Sequence, residues 1–210
     1  MTVLTSTLLC DGSSDRALIP ILNWLLQRNV TQRALPGTQW ADFGYRRVKP
    51  QNLVERVHCA VEDYPCDLLF IHRDAEAQSP DDRRGEILHA IQQAGIGPPA
   101  VCVIPVRMTE AWLLLDEASI RVASGNPRGR QPLNLPARHS IERVADPKEI
   151  LFEALRIASE QTGRKLRNLR VDERRHRVAE LMDCGRLRHL PAFQILENEL
   201  RLTLTANGWT

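Results

Sequence analysis

Leu68-Leu69-Phe70-Ile71-His72-Arg73-Asp74-Ala75-Glu76 holds the most telling pattern in this chain. Four apolar residues in a row, without polar alternation, are the pattern of a short strand covered on both faces. Two further runs read as strands, the first from its apolar and β-branched residues and the second as another buried run. Val3 to Cys10 stops at Asp11-Gly12-Ser13-Ser14-Asp15, and Ala100 to Val106 leads into Thr109-Glu110. Helical spacing separates them. Ala17, Leu18, Ile21, Leu22, Leu25 and Leu26 recur on one face, with Ser13 or Ser14 as N-cap and Pro20 bending or delaying the start. Leu53 to Val61 forms a second helix, and Arg83 to Ala94 a third that Gly95 and Gly97 close. Phe43 to Val48 reads as a short strand after the break at Pro36-Gly37, and Thr109 as the cap of a helix running through Leu115.

Strands alternating with helices of this length predict right-handed crossovers and an α/β fold, Rossmann-like, with a mainly parallel central sheet and helices on both faces. The pattern fills residues 1–123. Residues 124–147, rich in Pro, Gly, Asn and Arg, read as an excursion or lid, and 148–210 as a helical C-terminal extension packing on the same core.

Bulk composition excludes several classes. Hydrophobic residues at 43% and charged residues at 26% are ordinary for a globular chain. No apolar run reaches the roughly 20 residues of a membrane span, and the amino end lacks the basic and apolar regions of a signal peptide. Cys10, Cys59, Cys66, Cys102 and Cys184 form no C-x-x-C pair, which disfavours a thiolate zinc site or a disulfide framework and points to a reducing cytoplasm. There is no P-loop, no dinucleotide fingerprint and no Gly-x-Ser-x-Gly elbow.

Ligands of open parallel sheets bind beyond the carboxyl ends of the strands. Those ends deliver Asp11 and Asp15, then His72, Asp74 and Glu76, then Glu110. Asp74 and Glu76 share a side if the strand continues that far. Converging carboxylates repel, and hard oxygen ligands suit Mg²⁺ or Mn²⁺. Acidic residues also follow strands as caps and first-turn charges, a role open to Asp15 and Glu110. His72 reads as a ligand, a general base or a partly buried strand-end residue.

Leu8-Leu9-Cys10-Asp11-Gly12-Ser13-Ser14-Asp15 is similar to the first Toprim motif, an apolar strand followed by Glu-Gly and a Ser/Thr-Asp/Glu pair. Leu68 to Glu76 is similar to the second, an apolar strand followed by Asp-x-Asp. Thr109-Glu110-Ala111-Trp112-Leu113-Leu114-Leu115-Asp116 resembles a segment of uncharacterised bacterial Toprim-like proteins related to the nuclease domain of the overcoming-lysogenization-defect family. The resemblance covers residues 1 to about 120. It implies an acidic cluster that holds Mg²⁺ or Mn²⁺ for phosphodiester chemistry, with Asp11, Asp74 and Glu76 as catalytic residues and Glu110 as a further metal ligand. A second register puts His72 and Asp74 in the Asp-x-Asp positions. Asp11 stands where the family has Glu, and Glu76 where it has Asp.

The implied function is a metal-dependent nuclease or phosphodiesterase. The two length changes motivate an alternative, a non-catalytic Toprim-like module bound to a protein partner in a multi-protein, defence-type system. A third reading takes the helix start at Gly12-Ser13-Ser14 as an anion site. Arg128 and Arg130 are candidate phosphate contacts on the 124–147 excursion. The basic run from Arg164 to Arg188 is either a nucleic-acid surface or a solvated face of Arg–Asp/Glu pairs. Trp112 reads as core.

Overall fold

The computed structural model describes residues 2–210. In chain order the elements are β1 (Ser6–Leu9), α1 (Leu18–Asn29), β2 (Thr38–Trp40), α2 (Leu53–Asp63), β3 (Leu68–His72), α3 (Pro80–Ala94) and β4 (Ala100–Val103). Then come α4 (Glu110–Leu113), α5 (Glu117–Ala123), α6 (Pro147–Ser159), α7 (Gly163–Arg167), α8 (Val171–Leu181) and α9 (Pro191–Ala206). The strands form one parallel sheet in the order β2-β1-β3-β4. This is the α/β architecture expected of the alternating pattern.

Alternation along each strand divides the core between two faces. Leu8, Leu68, Phe70, Val101 and Val103 point to one side, against α1, α4, α6, α8 and α9. Leu9, Leu69, Ile71 and Cys102 point to the other, against α2 and α3. Both faces are covered, which is why β3 and β4 read as unbroken apolar runs. Trp112, fully buried, meets the ring of Phe193 edge-on at 5.4 Å and 84°, so α4 and α9 share the first core. No helix among the described residues is long and apolar enough to cross a membrane.

Local chemistry sets the helix ends. The Asn52 and Ser79 side chains accept the Glu55 and Asp82 N–H groups, and Pro80 opens α3 where no N–H is needed. Gly95 ends α3 in the left-handed region at φ 58°. Ahead of α1 the chain makes a 3-10 turn, Ser13–Ala17, and the α-helix begins only at Leu18, with Pro20 in its first turn.

Three local expectations change. The second strand is Thr38–Trp40, not Phe43–Val48; its register pairs Ser6 with Thr38, while Tyr45 and Val48 are exposed. The last strand stops at Val103, close before Pro105, which has no N–H to give a ladder. Thr109 is helical in backbone and does not cap α4; Asp116 instead caps α5 through the Ser119 N–H.

The segment 124–147 is tied down by its backbone. The Arg130 and Gln131 N–H groups donate to the Glu160 carboxylate at 2.7 and 3.1 Å, and Leu133 and Ile141 are buried.

Candidate metal centre

The order β2-β1-β3-β4 sets the carboxyl ends of β1 and β3 side by side at the middle of the sheet. Three side chains meet beyond them. Asp15 comes from the 3-10 turn after β1, His72 is the last residue of β3, and Asp74 follows two residues later. One ligand atom from each lies within 4.8 Å of the other two. His72 Nε2 is 3.5 Å from Asp74 Oδ1 and 3.8 Å from Asp15 Oδ2.

The imidazole is held in place from behind. His72 is 1% exposed, and its Nδ1 lies 3.0 Å from the Val103 carbonyl oxygen, which can only accept. In its neutral form the ring carries its proton on Nδ1, and in either form Nε2 faces the two carboxylates. A backbone carbonyl behind one ring nitrogen is a common way to orient a metal-binding histidine.

Both carboxylates are also held. Asp15 accepts from the Gly12 N–H at 3.1 Å and from the Ser14 hydroxyl at 3.0 Å. Asp74 Oδ1 accepts the Thr109 N–H at 3.0 Å, and the Thr109 hydroxyl lies 3.4 Å from the same oxygen. Burial raises the Asp74 carboxyl from 3.8 to about 6, and the charges of Asp15 and Glu110 add to the rise against the opposing pull of His72. Bonds of about 2.1 Å to a cation hold donors about 3 to 4 Å apart, so these atoms need to close by less than about 1 Å. One imidazole with two carboxylates suits Mn²⁺ better than a purely oxygen-loving ion.

The other acidic residues named from the sequence point elsewhere. Glu76 lies beyond the strand in the left-handed region, φ 53°, and is exposed beside Arg83 at 3.5 Å. Its backbone is clamped to Arg107, also left-handed at φ 68°, by the Glu76 N–H on the Arg107 carbonyl at 3.0 Å. That turn ends the two-residue alternation, so Glu76 does not follow Asp74. Asp11 sits between two guanidiniums, 2.6 Å from Arg56 Nη1 and 2.9 Å from Arg73 Nε. Glu110 is buried and salt-bridged to Arg175 at 2.6 Å. Arg128 and Arg130 are exposed, and no side-chain bond ties either to Asp15, His72 or Asp74 among the described residues.

No family model, curated protein or solved structure matches this chain. The geometry stands alone.

The pairing of His72 with Asp74 is the second register. Asp15 is one of the strand-end acids of the sequence but has no ligand role in the family resemblance, and Thr109 and Arg175 have no site role in either reading. His72, with the same parity as Phe70, carried a readable signal, since both point to the face covered by α1, α4 and α8. Arg175 carried none, for it arrives from α8, 65 residues after its partner. Much of the basic run is consumed in pairs: Arg170 with Glu173, Arg177 with Glu180, Arg186 with Asp183 and Arg188 with Glu197.

Proposed function

We propose that this chain is a metal-dependent phosphodiesterase acting on nucleic acid, Toprim-like in kind and working in the cytoplasm. Asp15, His72 and Asp74 hold one divalent cation, Mn²⁺ or Mg²⁺. The observation that carries the reading is the convergence of these three side chains beyond the central strands, with Nε2 of His72 facing the two carboxylates. In such sites a bound cation polarises a phosphoryl oxygen and makes its water more acidic. The protein's own part is orientation: Val103 fixes the tautomer, Thr109 and Gly12 fix the carboxylates, and Arg175 offsets the charge of Glu110 behind them.

Incubation of single- and double-stranded DNA and RNA with Mn²⁺ or Mg²⁺ tests the activity. Cleavage by the wild type, lost in Asp74→Ala and His72→Ala, supports it. Absence of cleavage on all four substrates, or an undiminished rate in both variants, removes it.

One observation favours the non-catalytic module as a second reading. Asp11 and Glu110 are engaged by arginines, which leaves a smaller acidic set than the family resemblance implies. That reading predicts no Mn²⁺ affinity and a stable protein partner.

A further inference from the structure

A cleft of about 440 Å³ opens at the carboxyl ends of β1 and β2; Asp15, His72 and Asp74 do not line it, but its wall includes Gly12, whose N–H donates to Asp15. Cys10 to Ser13 form one wall, and Trp40, Phe43, Lys49 and Arg56 contribute to the rest. Its volume is within the ordinary range of small-ligand sites and admits about one nucleotide unit, but not a duplex. Trp40 and Phe43 give aromatic surface, and the Arg16 guanidinium, 5.0 Å from the Trp40 ring, steadies the indole. Lys49 is exposed.

Arg56, which lines the cleft from α2, and Arg73, just after β3, converge on the carboxylate of Asp11, and Arg73 Nη1 also lies 3.7 Å from Glu86. Asp11 satisfies them unequally. Arg56 donates to Oδ1 at 2.6 Å and also to the Cys10 carbonyl. Arg73 Nε is close enough to Oδ2 for an ion pair, at 2.9 Å, yet its buried N–H is out of line and has no hydrogen-bond acceptor. Asp11 gives one oxygen to each guanidinium, whereas a phosphate offers oxygens in three dimensions and more than one acceptor to each. Two guanidiniums on one anion are the arrangement proteins use for phosphate.

We infer that this cleft binds one nucleotide unit of single-stranded nucleic acid, its phosphate taken by Arg56 and Arg73, and that Asp11 is a placeholder which the phosphate displaces. The inference rests on the phosphodiesterase reading for its purpose, since it sets a phosphate next to the cluster. The binding itself needs no cation. Asp11 on this account opposes binding, the reverse of the ligand role that the family resemblance implies for it.

Fluorescence anisotropy of a fluorescein-labelled ten-residue oligothymidylate, in EDTA, reads the cleft without any cation. Arg73→Gln and Lys49→Gln together are expected to weaken binding by about tenfold, through lost charge-assisted contacts and counterion release. Asp11→Asn is expected to tighten it several-fold, because the competing carboxylate is gone. Arg56 also holds the Cys10 carbonyl, so its variant is the one most prone to misfold; the Arg73 and Lys49 pair keeps the test independent of it, with circular dichroism as the folding control. Displacement by thymidine 5′-monophosphate supports a single-unit cleft, and failure to displace overturns it. An Asp11→Asn protein that binds no tighter than wild type overturns the placeholder role. Failure of the cation reading looks different: no Mn²⁺ binding, with oligonucleotide affinity intact.

Discussion

Replacing Asp74 by asparagine is expected to stabilise the metal-free protein above about pH 6, even though it removes a residue of the candidate centre. Burial and the neighbouring carboxylates push the Asp74 carboxyl from 3.8 up to about 6. The folded state therefore binds the proton more tightly than the unfolded state. With the native state holding more protons between about pH 4 and 6, stability falls as pH rises through that window and stays lower above it. At 1.36 kcal/mol per pH unit the full displacement corresponds to a ceiling of about 3 kcal/mol. The side chain keeps 23% of its surface, and solvent screening brings the expected gain for Asp74→Asn to about 1 to 2 kcal/mol.

Urea denaturation at pH 4, 6 and 8 in EDTA measures it. The gap between variant and wild type is expected to be near zero at pH 4 and to widen toward pH 8. Mn²⁺ then reverses the order, because only the wild type gains binding free energy, about 2.7 kcal/mol at a hundred times the dissociation constant. A variant less stable than wild type at pH 8 in EDTA, or a gap that ignores pH, contradicts a raised Asp74 carboxyl.

Other expectations follow from the buried pairs and thiols. Arg175→Met leaves Glu110 buried without its partner and is expected to cost about 3 kcal/mol by urea denaturation, with Glu110→Gln added to it recovering a good part. Trp112→Ala empties a fully buried site against Phe193 and is expected to cost about 3 to 5 kcal/mol, with Trp112→Phe milder, read as thermal midpoints. Burial pushes the Cys10 and Cys102 thiols up to about 12 and Cys184 up to about 11. All three are therefore expected to resist iodoacetamide at pH 8 until denaturant is added, by peptide mapping.

The parts of this fold that are readable in sequence are those whose burial is uniform. Leu68 to Ile71 and Val101 to Val103 are dry on both sides, so composition alone marks them as strands. β2 is hidden because it is three residues long and only Thr38 of it is buried. At the site, Asp74 was legible from its position after β3. Glu76 misled because parity holds only while the chain stays extended, and a left-handed glutamate is not a residue type that announces a turn. Asp15 looked like any acid in a first helical turn. The Glu110–Arg175 pair joins α4 to α8, and a contact across 65 residues leaves no local pattern.

Mn²⁺ titration by calorimetry reads out whether Asp15, His72 and Asp74 make a single cation site. One Mn²⁺ per chain is predicted for the wild type, lost in His72→Ala and Asp15→Asn and retained in Glu76→Gln and Asp11→Asn. No Mn²⁺ binding by the wild type, or binding that survives His72→Ala but disappears in Glu76→Gln, would contradict it.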